Sequence, residues 1–301
     1  MPLHQQQVGP LIQFTFSHKV PGAAIQTSEV NWFRLEDTLI DAGSEPASAE
    51  LLKILHGNPP SQIILTHQHE DHVGGVPALR QEFGNLPIHA PEEHISILEE
   101  GYPVPDYRRN FWGRMLPFQG MIPYRDGHTF NVGPYTLHAK DTPGHTVGHK
   151  AIYFEADRLY VISGDLYLAP RLPNALYETS VPDLIDSLQW LLNLKEKFVL
   201  LPSHGGPYED GPRRIKQLLE WYIRQRDEIL ELHQKHPKAD YREIFKIRHG
   251  YYNRMEIHSG GELSRLALIR GVLEPVQELP APPIQLEAEL LKISKEKLGL
   301  T

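Results

Sequence analysis

The chain has no cysteine. That excludes a disulfide framework, thiolate chemistry and sulfur-ligated metal sites, so any bound metal is held by nitrogen and oxygen. It also lacks any apolar run approaching the roughly 20 residues that a bilayer-spanning helix needs. The start, Met1-Pro2-Leu3-His4-Gln5-Gln6-Gln7, has neither the basic nor the apolar region of a secretory signal. These absences predict a cytoplasmic location with no membrane partner. Positive charge is not in excess either. The net charge of -8 argues against a protein that coats nucleic acid. A nuclease stays open, because bound cations change the local field. With 40% hydrophobic and 23% charged residues, the 301-residue chain suits one large domain or a core with an appendage.

Histidine, by contrast, is abundant at 17 residues, and its placement carries the argument. The stretch Thr66-His67-Gln68-His69-Glu70-Asp71-His72-Val73-Gly74-Gly75 sets three imidazoles and two carboxylates within six positions. Ile63-Ile64-Leu65 before it reads as a short buried strand, and Gly74-Gly75 loosens the chain before a helix. Imidazole and carboxylate at this density are what zinc or iron prefers. An exposed His-rich turn is the plainer explanation, and it weakens as similar loops recur.

Residues 1 to about 10 read as a loose terminus. Strands of a meander are expected over 11–16, 24–27, 31–35 and 38–40. Asp41-Ala42-Gly43 closes the last one, where Asp41 suits an Asx-type turn, with arranging the metal loop from behind as its alternative use. A helix over 48–55 and a strand over 62–65 lead into the His-rich stretch. Helices over 76–83 and 92–99 flank a strand over 86–90, an α/β layer pattern. Residues 101 to about 126 differ. Tyr102, Tyr107, Phe111, Trp112, Met115 and Phe118 fall there among prolines, glycines and arginines without a period. Such an insertion suits a lid over a site or the cover of a sheet edge.

The polar cluster then recurs. After strands over 130–132 and 135–139 comes Asp141-Thr142-Pro143-Gly144-His145-Thr146-Val147-Gly148-His149. A hairpin over 151–154 and 158–162 ends in Ser163-Gly164-Asp165, and a strand over 198–201 ends at Pro202-Ser203-His204-Gly205-Gly206. Four strands thus end in Gly-flanked loops that carry His or Asp. In layered α/β folds such loops converge at one edge. Helices are expected over 182–194, 213–234, 241–247 and 262–273, then a proline hinge and a terminal helix over 286–298. The change of character after Gly211 divides the chain into 1–210 and a helical accessory region, 211–301.

Over roughly residues 11 to 210 the chain resembles the metallo-β-lactamase-fold hydrolases, the glyoxalase II-like members among them. His67-Gln68-His69-Glu70-Asp71-His72 stands as H-x-H-x-D-H. Thr142-Pro143-Gly144-His145-Thr146, Ser163-Gly164-Asp165 and Pro202-Ser203-His204-Gly205 follow in the family's order. The resemblance implies an α/β fold, the four-layer αββα sandwich, with a C-terminal helical extension. It implies two divalent metal ions at one edge of the sheets, zinc first, with iron or manganese as alternatives. His67, His69 and His145 would hold one ion, Asp71, His72 and His204 the other, and Asp165 would bridge them.

The reaction implied is hydrolysis by a metal-bridging hydroxide, which Asp71 would orient while also shuttling a proton to the leaving group. Tyr167 would hydrogen-bond a developing oxyanion, as a tyrosine near this position does in lactonase relatives. His149 is a candidate support for the site, and Glu70 reads as solvated. The remaining histidines read as surface or packing residues.

The missing cysteine argues against the antibiotic-degrading branch that uses one as a ligand. Seven filled ligand positions argue against single-iron relatives. His69, where flavodiiron proteins place a glutamate, argues against an oxygen reductase. The expected substrate is a small-molecule ester, thioester or lactone. The alternative is a phosphodiesterase or ribonuclease of the same fold, with Arg213, Arg214 and Lys216 as phosphate contacts, although a solvated first helical turn is the commoner explanation of those three. A non-catalytic binding protein is the remote third reading. A homodimer through the aromatic insertion or the C-terminal helices stands as an open partner reading.

Overall fold

Side chains alternate across a strand, so each strand of a two-sheet stack feeds one core with its odd residues and another with its even ones. The computed structural model describes residues 3–19 and 27–300, and it has that layered form. In the first sheet β1 (His4–Val8), β2 (Leu11–Lys19), β3 (Thr27–Leu35), β4 (Thr38–Ile40), β5 (Gln62–Ile64), β6 (Ile88–Pro91) and β7 (Ile122–Tyr124) lie in that order. From β4 to β7 the pairs are parallel and require crossovers. These carry α1 (Ser48–Leu55), then α2 (Glu70–Val73) and α3 (Val76–Phe83), then α4 (Ile95–Glu100) and α5 (Asp106–Trp112).

The second sheet comprises β8 (Thr129–Val132), β9 (Tyr135–Asp141), β10 (Lys150–Glu155), β11 (Leu159–Gly164) and, beyond a two-residue β12 (Ala175–Leu176), β13 (Val199–Pro202). β11 and β13 are parallel, joined through α6 (Val181–Leu194). Leu35, Ile40 and Ile64 meet Phe154, Tyr160, Ile162 and Leu201 between the sheets. The alternate residues face outward. Leu39, Ile63 and Ile88 pack with α1 and α3, while Val161 and Leu200 pack with α6. Burying each such side chain contributes about 1.5–3 kcal/mol. The αββα order follows.

After β13 come α7 (Gly211–Lys235), α8 (Tyr241–Arg248), α9 (Arg254–His258), β14 (Leu263–Ser264), α10 (Arg265–Leu273) and α11 (Ala288–Leu298). Ile215, Leu218, Ile244, Leu266 and Ile269 share one core with Leu184, Leu188 and Leu200. Residues 211–301 therefore build onto the outer face of the second sheet.

Several expectations need correction. The supposedly loose start is β1, registered on β2 from His4 opposite Thr15 to Val8 opposite Leu11. Its His-Gln-Gln-Gln-Val sequence is that of an edge strand, mostly exposed, so it shows no apolar alternation. Of the strand expected over 24–27, residues 24–26 lie outside the described residues. The stretch 101–126 contains α5, which turns Phe111 and Trp112 inward. The last core helix begins at Arg265, because Leu263-Ser264 pairs with β12 and Ser264 caps the helix through Ala267 N–H. The unanticipated α9 starts with a capping box, Asn253 with Glu256. Among the described residues no helix is long and apolar enough to cross a membrane.

Candidate metal centre

The four polar loops meet at one edge of the sandwich. The chain leaves β5 for His67, turns through α2 with Asp71 and His72, supplies His145 between β9 and β10, Asp165 after β11, and His204 after β13. Glycine is required at Gly164, where φ is +49° and a Cβ would stand 2.5 Å from His149 Nε2. Two groups of donors form. His67, His69, His145 and Asp165 make one, and Asp71, His72 and His204 the other, each with its donor atoms within 4.8 Å of one another. All seven residues named from the sequence are thus brought together.

Hydrogen bonds on the far nitrogens set the tautomers. Thr66 donates its hydroxyl to Asp41 Oδ2 at 2.8 Å, so it accepts from His67 Nδ1 at 3.0 Å. That leaves a lone pair on His67 Nε2. His69 donates through Nε2 to Glu178, which leaves a lone pair on Nδ1. These two lone pairs face each other at 3.1 Å, and His145 Nε2 lies 3.0 Å from the same Nδ1. Facing lone pairs at that distance repel unless a cation lies between them. The spacing is close to the tetrahedral edge of about 3.3 Å set by zinc–nitrogen distances near 2.0–2.1 Å.

In the second group, His72 Nδ1 donates to Asp41 Oδ2 at 2.8 Å and His204 Nδ1 to the Glu29 carbonyl at 2.5 Å. His72 Nε2 and Asp165 Oδ1 are buried without a hydrogen-bond partner. Asp165 faces both groups. Its Oδ2 is 3.3 Å from His145 Nε2, and its Oδ1 is 3.3 Å from His72 Nε2 and 3.5 Å from His204 Nε2. Asp71 Oδ2 lies 3.3 Å from His204 Nε2. The donor set fits a pair of divalent cations.

Burial pushes His67 well below the usual imidazole range and His145 down to about 4, so both stay neutral, as ligands must. Burial also lowers His72, but Asp165, Asp71 and Asp41 outweigh it and hold the ring well above that range. Cation binding at this second group therefore releases a proton.

One supporting residue escaped the sequence reading. Glu178 is buried and takes His69 Nε2–H, the Thr146 hydroxyl at 3.0 Å and Gln68 Nε2 at 3.2 Å. Burial raises its carboxyl, but His69 more than offsets this and brings it down to about 2. Asp41, read first as a turn residue with support of the metal loop as the alternative, holds that loop from behind through Thr66 N–H at 2.7 Å, the Thr66 hydroxyl and His72. Its φ of +63° is tolerated by aspartate more readily than by most residues. His149 is a support as expected, though as an acceptor: Asp165 N–H donates to its Nε2 at 3.0 Å.

Two site expectations are overturned, and the phosphate contacts of the alternative reading have no place in the cavity wall. Glu70 is fully buried and paired with Arg108, because the aromatic insertion brings a guanidinium to it. Tyr167 does not reach the site. It is fully buried in the core beside α6 and α7, its ring edge-on to Tyr208 at 5.7 Å, and its neighbour Leu168 lines the cavity instead. Arg213 and Arg214 pair with Asp210, Lys216 with Glu220, and none lines the cavity.

That cavity, about 250 Å³, opens onto His69, Asp71, His145, Asp165 and His204. The insertion supplies Tyr107, Arg108, Phe111 and Trp112, while α7 supplies Tyr222 and β14 supplies Leu263. Trp112 lies 6.1 Å, ring to ring, from His204. The insertion covers the site.

The family model described as the metallo-beta-lactamase superfamily matches residues 36–233. The chain is 28% identical over 166 residues to a hydroxyacylglutathione hydrolase of Hamiltonella defensa, covering 55% of this chain and 56% of that one. It is 26% identical over 174 residues to an atrochrysone carboxyl ACP thioesterase of Aspergillus fumigatus, covering 57% of this chain and 34% of that one. The chain spans about half the length of the curated relatives it matches. A beta-lactamase domain protein from Burkholderia ambifaria has the same fold, with a TM-score of 0.68 at 19% identity over 89% of this chain and 87% of that one. By motif order, sandwich and family match together, the chain belongs to the metallo-beta-lactamase superfamily.

Proposed function

We propose that the chain is a binuclear metal-dependent hydrolase of a small-molecule ester, thioester or lactone. The observation that carries this is the pair of lone pairs, His67 Nε2 and His69 Nδ1, held 3.1 Å apart by hydrogen bonds behind them. In this reading His67, His69 and His145 would hold one ion and Asp71, His72 and His204 the other, with Asp165, which faces both groups, as their shared carboxylate. The donors, all nitrogen and oxygen, suit zinc, with iron or manganese as alternatives. Bound there, two cations supply Lewis acidity and bring the pKa of a water toward about 7.

The chain's own residues do the rest. Asp71, which lines the cavity, takes the proton of the attacking water on a carboxylate oxygen and returns it to the leaving atom. Asp41, Glu178 and His149 keep the ligands aimed. Phe111 and Trp112 keep bulk water from the reacting group. Residues 211–301 act as an accessory region that completes the cavity wall. The names of two relatives, a hydroxyacylglutathione hydrolase and a thioesterase, support hydrolysis over phosphodiester cleavage, as does the absence of Arg213, Arg214 and Lys216 from the cavity. Metal analysis tests the reading together with a panel of thioesters, lactones, phosphodiesters and single-stranded RNA. About two ions per chain and cleavage of a carboxylic ester, thioester or lactone are expected. Fewer than one ion, or cleavage of RNA alone, overturns it.

A further inference from the structure

We propose that the cavity beside the metal centre takes a neutral, apolar acyl group of about six to eight carbons. The substrate is then an ester or thioester of such an acid, an inference that rests on the hydrolytic reading above. The cavity runs from His145, Asp165 and His204 to a wall of Phe111, Trp112, Leu168, Leu172, Leu176 and Leu263. Its 250 Å³ compares with roughly 150 Å³ for an apolar cavity that takes the six carbons of benzene, which leaves room for about one or two more.

Charge points the same way. Among the described residues, Arg108 is the one Lys or Arg that lines the cavity, and it is already engaged. Glu70 takes its Nε and Nη2, and Glu262 takes its Nη1 at 2.9 Å. One cation therefore faces two carboxylates, and none is left for an anionic substrate. Residues 20–26, Val-Pro-Gly-Ala-Ala-Ile-Gln, carry no charge. An anion beyond the reacting group would lose its hydration without gaining a partner. An apolar chain gains by leaving water. This separates the chain from an enzyme built for the carboxylates of a glutathione conjugate.

The test uses the zinc-loaded full chain with p-nitrophenyl and thiol esters from acetyl to decanoyl, beside lactoylglutathione and bis(p-nitrophenyl) phosphate. kcat/KM is expected to rise about fourfold per methylene, peak at six to eight carbons and fall beyond. Leu172→Trp, which fills the wall, moves the peak to shorter chains. A flat profile, an acetyl optimum or preference for lactoylglutathione overturns the acyl proposal and leaves the hydrolase standing. A binding arm stands apart from catalysis: octanamide titrated into metal-free protein is followed by tryptophan fluorescence. A saturable change that Trp112→Phe abolishes supports the acyl site even if every ester is inert, an outcome that sinks the hydrolytic reading alone. No saturable change overturns the acyl site.

Discussion

Arg108 reaches from α5 to the carboxylate of Glu70, the residue between His69 and Asp71, with Nε donating to Oε1 at 2.7 Å and Nη2 donating to Oε2. Its remaining Nη1 donates to Glu262, so one side chain ties the metal loop to the C-terminal region. Glu70 is fully buried, and removing its partner leaves an unpaired charge in the interior. Arg108→Leu is expected to cost about 3–5 kcal/mol in urea unfolding with zinc in excess. Replacing Arg108 and Glu70 together by leucine should recover the part of that loss that comes from Glu70, while Glu262 still lacks its guanidinium. If the double variant is as unstable as the single one, the pair is not the cause.

Among the candidate metal donors, Glu178 hydrogen-bonds His69 alone. Glu178→Gln keeps an acceptor but removes the charge that favours His69 Nδ1 as the free nitrogen, and it sets an amide N–H₂ against donors from Gln68 and Thr146. Zinc affinity, measured by competition with a chromophoric chelator, should fall about 10- to 100-fold. Circular dichroism of the metal-free protein should not change. An affinity equal to wild type would remove Glu178 from the site.

The seven candidate ligands were legible because four of them fall within six residues and the others each follow an apolar strand. Not all of their supports were. Glu178 lies 109 positions from His69, in a segment with no periodicity, and only the folded chain brings it close. Glu70 sits inside the signature itself, yet its partner comes from 38 residues away. With that guanidinium out of view, a glutamate in a polar loop reads as solvated. β1 was missed for a different reason. Its glutamines face water at a sheet edge, so backbone pairing rather than apolar pattern holds it. Strands β11 and β13 were readable because β11 from Leu159 to Ile162 and all of β13 are apolar, as strands buried on both faces must be.

Asp165 offers one oxygen to each donor group. In Asp165→Ala each group keeps three donors of its own, but nothing links them. Metal content is expected to fall below two ions per chain, and kcat on the best ester to fall at least 100-fold. A variant that retains two ions and full activity would rule out the shared carboxylate.

His94 sets an acid limit on stability separate from the ligands. It is fully buried, its Nε2 donates to the Val147 carbonyl at 2.6 Å, and its Nδ1 has no partner. Burial, opposed in part by that carbonyl, pushes the ring down to about 4. The unfolded chain titrates this ring near 6.5. Between pH 6.5 and 4 the unfolded state thus holds the extra proton, and stability falls as pH drops through that window. Above pH 6.5 both states are neutral and the effect vanishes. From pH 7.5 to 5.0 this one group should remove about 2 kcal/mol. His94→Gln keeps a donor for Val147 and cannot titrate. Urea unfolding of both proteins at the two pH values, with zinc in excess, cancels the acid sensitivity that the ligands share. Wild type should lose about 2 kcal/mol more than the variant; equal losses would mean that His94 is charged in the folded chain.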